Sequence, residues 1–233
     1  MSTKNKKASN SALAFILIYM KISWNSISVA QFQEIHAMAI APEIDELSRL
    51  TRLICVVHNL TEQQVDELTV TQFNALANDC RFLLSAQIPG KPVKSFMVGT
   101  RKYSVNYTPS KLKHRQYVEI SHFANDPIAN LHYILASIVQ PVKWGFKQAN
   151  KASRHQQIAQ DMLNAPITVL YHTCIFFCKL YKSLIEAMRA SLVAEMMEVG
   201  KSRKQAEELV TIFSAVMDGS IQPNKWPNLK ASA

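Results

Sequence analysis

The chain has 233 residues, of which 48% are hydrophobic and 18% are charged, and its formal net charge is +9. This composition excludes a wholly disordered chain, because disorder requires low hydrophobicity together with high net charge. Only five residues are glycine, which disfavours Gly-rich phosphate loops and many-stranded barrels and therefore favours helices.

Residues 1–19 are the first feature in chain order. Lysines precede an apolar run from Ala12 to Met20, as they would in a signal peptide. No small-x-small cleavage site follows, and the run is about half the ~20 residues that a membrane span requires. The apolar run from Ile167 to Cys178 is also too short. We therefore expect no membrane partner, and interpret residues 1–19 either as an extension upstream of a natural start at Met20 or as a segment docked on the body.

Capping patterns predict helices in the region that follows. The pattern Ser/Thr-x-x-Gln, which is typical of a capping box at a helix start, begins at Ser28, Thr61 and Thr69. Pro42 suits the first position of a further helix, and the apolar spacing extends that helix over residues 42–58.

The apolar period then changes from helical to alternating. Proline and glycine at residues 89–92 break the helical pattern, and Gly99 lies between two short alternating runs. The alternation predicts one β-hairpin, over about residues 94–106, as the single sheet of the chain.

Helical patterns return after the hairpin. Thr108-Pro109 restarts a helix, and Asp126-Pro127 supplies an N-cap and a first helical position for an apolar helix over residues 128–139. A break follows, and residues 141–155 are predicted to be a basic linker.

The last part of the chain is predicted to be helical up to an extended tail. A short helix covers about residues 154–164, and a continuous helix covers residues 166–199 and stops at Gly200. A final amphipathic helix covers about residues 202–218, and the prolines after it indicate an extended tail.

The predicted fold class is mainly α, a helical bundle-like domain with one small β-hairpin. The predicted organisation is an N-terminal extension (1–19), a helical domain with the hairpin (20–140), a basic linker (141–155), a long-helix C-terminal region (156–219) and an extended tail (220–233).

Charge is unevenly distributed along the chain. Residues 21–79 contain three basic and eight acidic residues, whereas residues 80–160 contain twelve basic residues and only two acidic ones. Two interpretations remain open. The acidic and basic segments pack on each other, or the basic part meets an acidic partner, including another copy stacked head to tail.

The sequence contains no motif that predicts catalysis, a metal or a cofactor. GxSxG, P-loop and GxGxxG patterns are absent. His172, Cys174 and Cys178 have a spacing that zinc could use, but their apolar neighbours favour buried, reduced thiols. Glu119 and His122 are interpreted as neighbours on a helix face. An enzyme whose active site is assembled from distant residues stays as a third hypothesis.

A basic stretch with interleaved aromatic residues is the candidate nucleic-acid site. The cations would meet phosphates and the aromatic rings would stack on bases. The alternative is a hairpin whose cations are solvated while its aromatic residues enter the core. The candidate cations are Lys91, Lys94, Arg101, Lys102, Lys111, Lys113 and Arg115, and the aromatic residues are Phe96, Tyr103, Tyr107 and Tyr117.

Several segments between residues 20 and 140 resemble a known family. They are Trp24-Asn25-Ser26-Ile27-Ser28 with Phe32-Gln33-Glu34-Ile35, Lys94-Ser95-Phe96 with Arg101-Lys102-Tyr103-Ser104-Val105-Asn106, and Gln116-Tyr117-Val118-Glu119-Ile120. Together they resemble small helical proteins encoded by tailed phages, especially those that infect Bacteroidetes-type hosts. The resemblance implies a non-catalytic tail assembly chaperone or virion structural component, present in the host cytoplasm during assembly or in the virion.

The predicted partners are other virion or tail proteins, with self-association and nucleic acid as further options. Apolar helix faces and charge complementarity would make these contacts. Trp24, Trp144 and Trp226 lie outside the best predicted helices and are candidate partner contacts, because tryptophan is enriched at binding hot spots. For Trp24 ordinary packing at the end of an element is the favoured alternative.

Overall fold

The computed structural model describes residues 22–84, 87–142 and 151–217. Their contacts divide them into two compact units. The first unit comprises the described residues up to 90 together with 163–169, and the second unit comprises residues 91–162 and those from 170 onward. The predicted extension (1–19) and tail (220–233) lie outside the described residues. The mainly α fold class is confirmed.

Four helices form most of the first unit. They are α1 (Val29–Ile40), α2 (Glu46–His58), α3 (Glu62–Asp66) and α4 (Val70–Cys80), and single 3-10 turns occupy Trp24–Ser26 and Arg81–Leu84. The three predicted capping boxes are confirmed at the starts of α1, α3 and α4, where the Ser or Thr side chain and the Gln side chain each accept a backbone N–H. Local sequence therefore sets these helix starts.

The predicted start of the second helix at Pro42 was wrong. The helix α2 begins four residues later, because the Asp45 carboxylate accepts the backbone N–H of Ser48 at 3.0 Å and acts as the N-cap. An aspartate cap satisfies an otherwise unpaired donor of the first turn, which a proline at the first position does not do.

Residues 163–169 join the first unit through backbone hydrogen bonds. The N–H of Val29 donates to the carbonyl of Ala165 at 2.9 Å, and the N–H of Ile167 donates to the carbonyl of Ile27 at 2.9 Å. All four residues are at most 1% exposed. Ala165 and Ile167 therefore lie in the core beside the start of α1.

A three-stranded antiparallel sheet lies in the second unit. Strands β1 (Ser95–Val98) and β2 (Arg101–Val105) form the predicted hairpin, which is confirmed, and β3 (Val139–Pro141) pairs with β2. The third strand was not predicted. At three residues it is too short to show an alternating pattern, and it follows an apolar helix directly.

The remaining helices of the chain follow the sheet. They are α5 (His114–Phe123), α6 (Leu131–Ile138), α7 (Lys151–Leu163), α8 (Ile167–Glu198) and α9 (Arg203–Met217), and Pro109–Lys111 is a 3-10 turn. The helix α7 begins inside the predicted basic linker (141–155), of which residues 143–150 lie outside the described part. Within the described residues, no helix has an apolar stretch long enough to cross a bilayer.

The predicted helix over residues 128–139 was wrong at both ends. Asp126 opens a turn instead, since its side chain accepts the N–H of Ala129 at 3.1 Å and its carbonyl accepts that of Asn130 at 3.1 Å. The helix α6 then starts at Leu131, and Val139 leaves it for the sheet in an extended conformation.

The helix α8 stops at Gly200, as predicted, and the stop is a Schellman motif. The N–H of Gly200 donates to the carbonyl of Met197 at 3.0 Å, and the N–H of Lys201 donates to the carbonyl of Met196 at 3.1 Å. Gly200 has a φ of +85°, and a Cβ added there would meet nothing within 4 Å. A side chain at this position would therefore strain only the backbone.

We expect Gly200→Ala to lower the free energy of unfolding by about 1 kcal/mol, because L-residues with a Cβ disfavour this left-handed conformation. Denaturant unfolding followed by circular dichroism measures the change. Gly200→Asn is the matched control, and its loss should be smaller because asparagine tolerates this region better. An alanine variant as stable as the wild type would contradict the assignment of the motif.

Candidate functional site

The two units carry opposite net charge. Among the described residues, the first unit has three basic and eight acidic residues, and the second unit has fifteen basic and eight acidic ones. The positive charge is concentrated near the sheet, since no acidic residue occurs between Lys91 and Glu119. The second unit is therefore where a negatively charged ligand would bind.

The register of the hairpin decides which of its side chains face the core. Phe96 pairs across the strands with Tyr103, and their rings stack with centroids 5.7 Å apart. Both residues are buried. On the opposite face Met97 pairs with Lys102, and both are exposed. Phe96 and Tyr103 therefore enter the core, as the alternative interpretation of the hairpin expects.

The other two interleaved aromatic residues are also engaged inside the second unit. The hydroxyl of Tyr107 donates to the carbonyl of Val93 at 2.7 Å, and its ring packs edge-to-face on Phe176. The ring of Tyr117 lies 5.5 Å from that of Tyr181. None of the four predicted stacking residues is thus an exposed platform for a base.

Arg101 lies on the inner face of the hairpin and joins the sheet to α7. Its Nη1 atom is 2.6 Å from Oδ2 of Asp161, and the Tyr103 hydroxyl donates to the same oxygen. Burial, followed by the neighbouring Asp161 carboxylate, raises the pKa of Tyr103. Of the seven predicted nucleic-acid contacts, Arg101 therefore has an internal partner at short distance.

The other six predicted contacts are exposed. They belong to the loop before β1, to β2, and to the turn and first residues of α5, and they are Lys91, Lys94, Lys102, Lys111, Lys113 and Arg115. The nucleic-acid role of these residues stays a prediction, and the structure gives their positions. We call these six residues the cationic surface.

Two members of the cationic surface also line a cavity of about 310 Å³. Lys113 and Arg115 contribute from the start of α5, Gln140 from β3, and Arg154 and His155 from α7. From the sequence, Arg154 and His155 lie where the predicted basic linker (141–155) meets the predicted helix over about residues 154–164. The sequence does not show that Arg154 and His155 lie near Lys113 and Arg115, because that proximity depends on tertiary packing.

A polar cluster of Glu119, Ser137 and His155 borders this cavity. Oγ of Ser137 donates to Oε2 of Glu119 at 3.1 Å and lies 3.2 Å from Nε2 of His155, while Oε2 of Glu119 is 3.6 Å from the same Nε2. The cluster is not apparent from the sequence, where Glu119 and His122 are neighbours on one predicted helix face. His122 is exposed and its ring contacts that of Phe123.

The geometry of this cluster differs from that of a catalytic triad. In a triad the acid holds the imidazole nitrogen opposite the one that contacts the serine. Here Glu119 and Ser137 approach the same nitrogen of His155, and Ser137 is 1% exposed. The three side chains come from three helices, so the cluster is a hydrogen-bond network that joins α5, α6 and α7.

The pKa of His155 is held below its ordinary value. Burial is the main cause, Glu119 opposes it by favouring the charged ring, and Arg115 adds to it. Burial likewise lowers the pKa of His58 and His132. At a pH between the folded and unfolded pKa values of such a histidine, the unfolded chain binds more protons than the folded chain. The stability that these histidines contribute by staying neutral is therefore present above about pH 6.5 and is lost as the pH falls below that value.

We therefore expect the free energy of unfolding to decrease between about pH 7.5 and 5.5, by at most about 1.4 kcal/mol per pH unit for each of these histidines. The variant His155→Gln should show a weaker pH dependence than the wild type. Urea unfolding at several pH values measures the slope. Ser110→Gln, at an exposed position without a titratable group, is the control and should retain the wild-type slope. An unchanged slope in His155→Gln would contradict the account of this ring.

A larger groove of about 490 Å³ lies between α5 and α8. Tyr117, Ile185 and Cys178 contribute to its lining, and the Ser121 and Tyr181 hydroxyl oxygens are 2.8 Å apart within it. The groove is mostly apolar, with charged side chains from α8 at its border.

The thiols of Cys174 and Cys178 on α8 are neighbours that share a hydrogen bond. Cys174 is completely buried and Cys178 is partly buried. A hydrogen bond from one thiol to the other lowers the pKa of Cys178, and the same contact together with burial raises that of Cys174. In the described part of the chain, no three His, Cys, Asp or Glu residues gather closely enough to hold a metal ion.

Of the three tryptophans predicted to contact a partner, Trp24 is the one that the structure describes. Trp24 is 7% exposed in the first unit, and its ring packs edge-to-face on Phe32 at 6.2 Å and on Phe82 at 5.8 Å. Its environment is thus that of a core residue at the end of an element. Trp144 and Trp226 lie outside the described residues.

Comparison of the chain with protein-family models, with curated proteins and with solved structures finds no match in any of the three.

Proposed function

We propose that this chain is a phage morphogenesis protein, either a tail assembly chaperone or a virion structural component. It acts by binding other virion or tail proteins, in the host cytoplasm or in the particle. The resemblance of residues 20–140 to phage proteins supports the assembly role. The observation that carries the binding mode is the cationic surface, whose six members are all exposed. Its partner would present acidic side chains.

The surroundings of Lys102 favour a protein as the partner. Met97, opposite Lys102 in the hairpin, is 53% exposed. Val142, whose N–H donates to the carbonyl of Lys102 at 2.9 Å, is 40% exposed. Exposed apolar side chains beside a cation are typical of protein–protein interfaces, which combine an apolar centre with charge complementarity.

The test is affinity purification of the tagged full chain from cells that produce the phage encoding it, with and without nuclease, followed by mass spectrometry. We expect virion or tail proteins to co-purify and to remain after nuclease treatment. An untagged chain expressed at the same level is the control. Recovery of no phage protein above this control, or loss of all of them with nuclease, would contradict the proposal.

Nucleic-acid binding through residues 91–115 is the second candidate function. The absence of any acidic residue between Lys91 and Glu119 favours it, because phosphate contacts require cations and not exposed aromatic rings. Binding of duplex DNA should then weaken steeply with salt and disappear in the double variant Lys102→Glu/Lys113→Glu. Arg101 is left unchanged in this test because it pairs with Asp161. Absence of DNA binding at low salt would eliminate this candidate.

A further inference from the structure

The sheet of the second unit has β1 at one edge and β3 at the other, with β2 between them. The hydrogen bonds of β2 show which backbone groups face each neighbour. The N–H of Val105 donates to the carbonyl of Lys94 at 3.0 Å, and the N–H of Val142 donates to the carbonyl of Lys102 at 2.9 Å. Alternate residues of β2 therefore face β1, and the residues between them face β3.

The outer edge of β1 is formed by the backbone groups of Ser95 and Met97. Phe96 and Val98 direct their N–H and C=O groups toward β2, in the alternation that begins at Lys94. The residues between them direct theirs away from β2. Among the described residues, no hydrogen bond reaches the N–H or C=O of Ser95 or Met97. We call these two residues the open edge.

Helix α8 contacts the chain just before β1. The N–H of Val93 donates to Oγ1 of Thr173 on α8 at 3.2 Å, and the carbonyl of Val93 accepts the Tyr107 hydroxyl at 2.7 Å. Ser95, two residues later, is exposed, and Met97 is 53% exposed. The contact with α8 therefore satisfies the chain before β1 and leaves the open edge accessible.

The opposite edge of the sheet is blocked by a proline. The alternation that starts at Val142 places the backbone of Pro141 on the outer side of β3. Proline has no N–H to donate, and it commonly protects edge strands from further pairing. β1 contains no proline. The open edge of β1 therefore has the donors that a further strand needs, whereas the edge of β3 lacks one of them.

The side chains around the open edge favour an acidic partner over a second copy of the chain. Lys94 directly precedes β1, Lys102 pairs with Met97 across the hairpin, and both lysines are exposed. Pairing of β1 with β1 of another copy would bring the lysines of both copies together, and like charges on neighbouring strands are destabilising. A strand with acidic side chains meets the same lysines with opposite charge.

We infer that the open edge accepts an extended, acidic segment of a partner protein as a further strand of the sheet. Backbone hydrogen bonds to Ser95 and Met97 hold the segment, and alternate side chains give the pairing its specificity. Every second side chain of the segment lies on the exposed face of the sheet, where Met97 and Lys102 are. The inference rests on the proposed function, because it states how the acidic partner binds.

The test is a titration of the isotope-labelled full chain with a heptapeptide of alternating valine and glutamate, followed by amide hydrogen exchange in NMR. We expect the peptide at saturation to slow the exchange of the Ser95 and Met97 N–H groups by about tenfold or more, because both become hydrogen-bond donors. The N–H groups of Phe96 and Val98 face β2. They are the internal control, and their exchange should change much less.

Matched peptides and variants locate the effect. A heptapeptide of alternating valine and lysine should leave the exchange at the open edge unchanged. Met97→Pro removes an outward N–H while leaving the hydrogen bonds of the hairpin in place, as Pro141 does in β3, and should weaken binding of the acidic peptide by about tenfold or more. Met97→Thr also removes the methionine side chain but keeps the N–H, and should bind more tightly than the proline variant.

Either of two results in these titrations would overturn the inference. One is that the acidic peptide slows exchange at Ser95 and Met97 no more than the lysine peptide does. The other is that Met97→Pro and Met97→Thr bind the acidic peptide equally well. Circular dichroism checks that both variants fold, and the exchange measurement on the wild type decides the question by itself if the proline variant does not.

Failure of this inference can be distinguished from failure of the proposed function. If Met97→Pro and Met97→Thr recover virion or tail proteins equally well from cells that produce the phage, the proposed function holds and strand addition is wrong. If the acidic peptide protects Ser95 and Met97 but no phage protein is recovered, the open edge accepts a strand and the proposed function fails.

Discussion

Replacing Phe177 by alanine is expected to lower the free energy of unfolding by about 3–5 kcal/mol. Phe177 lies on α8 in the second unit, is 0% exposed, and stacks on Tyr181 with ring centroids 6.2 Å apart. The alanine variant loses the transfer free energy of the ring and leaves a cavity that the neighbouring side chains fill only in part. Guanidinium unfolding measures the effect as a lower midpoint with an unchanged slope.

The adjacent residue provides a matched control for this change. Phe176 has the same side chain on the same helix, but it is 41% exposed and contacts the ring of Tyr107 at its edge. Phe176→Ala should therefore cost about 1 kcal/mol, the size of a single aromatic contact with partial burial. Equal losses in the two variants would show that the assignment of buried and exposed faces on α8 is wrong.

Asp161→Ala is expected to lower the free energy of unfolding by about 2–3 kcal/mol. The carboxylate accepts hydrogen bonds from the Tyr103 hydroxyl and from Arg101, and it joins α7 to the sheet. Removing it leaves the hydroxyl of Tyr103, a residue that is 0% exposed, without this acceptor. The cost of an unsatisfied buried donor adds to the loss of a charge-assisted hydrogen bond. Thermal and urea unfolding both measure it.

A double-mutant cycle isolates this contact. Tyr103→Phe removes the donor and its need for an acceptor, so Asp161→Ala should cost less in the Tyr103→Phe background than in the wild type. Glu207→Ala is the control, because the ion pair of Glu207 with Arg203 is exposed and should contribute little. Additive losses at Tyr103 and Asp161 would contradict the coupling that the structure shows.

Local chemistry allowed much of the fold to be predicted from the sequence. The capping boxes at Ser28, Thr61 and Thr69 fix helix starts through side chains three residues apart, and the Gly200 stop needs only its left-handed backbone. The alternation about Gly99 similarly predicted the hairpin. Each of these features is encoded within a few residues of the chain.

Features that depend on distant residues could not be predicted in this way. Strand β3 pairs with β2 across more than thirty residues of sequence, and three residues carry no detectable period. Likewise, the contact of Glu119 with His155 and that of Arg101 with Asp161 join separate elements. The lysines of the cationic surface could therefore be predicted from the sequence, whereas the cavity that two of its members share with Arg154 depends on tertiary packing.

The most direct test of the central claim, that the cationic surface binds an acidic protein partner, is quantitative co-purification with charge-reversed variants. The triple variant Lys94→Glu/Lys102→Glu/Lys111→Glu should reduce the recovery of virion or tail proteins by about tenfold or more. Lys182→Glu/Lys201→Glu/Lys204→Glu reverses three exposed lysines elsewhere on the second unit and should leave recovery near that of the wild type. Equal recovery with the two triple variants would contradict the claim.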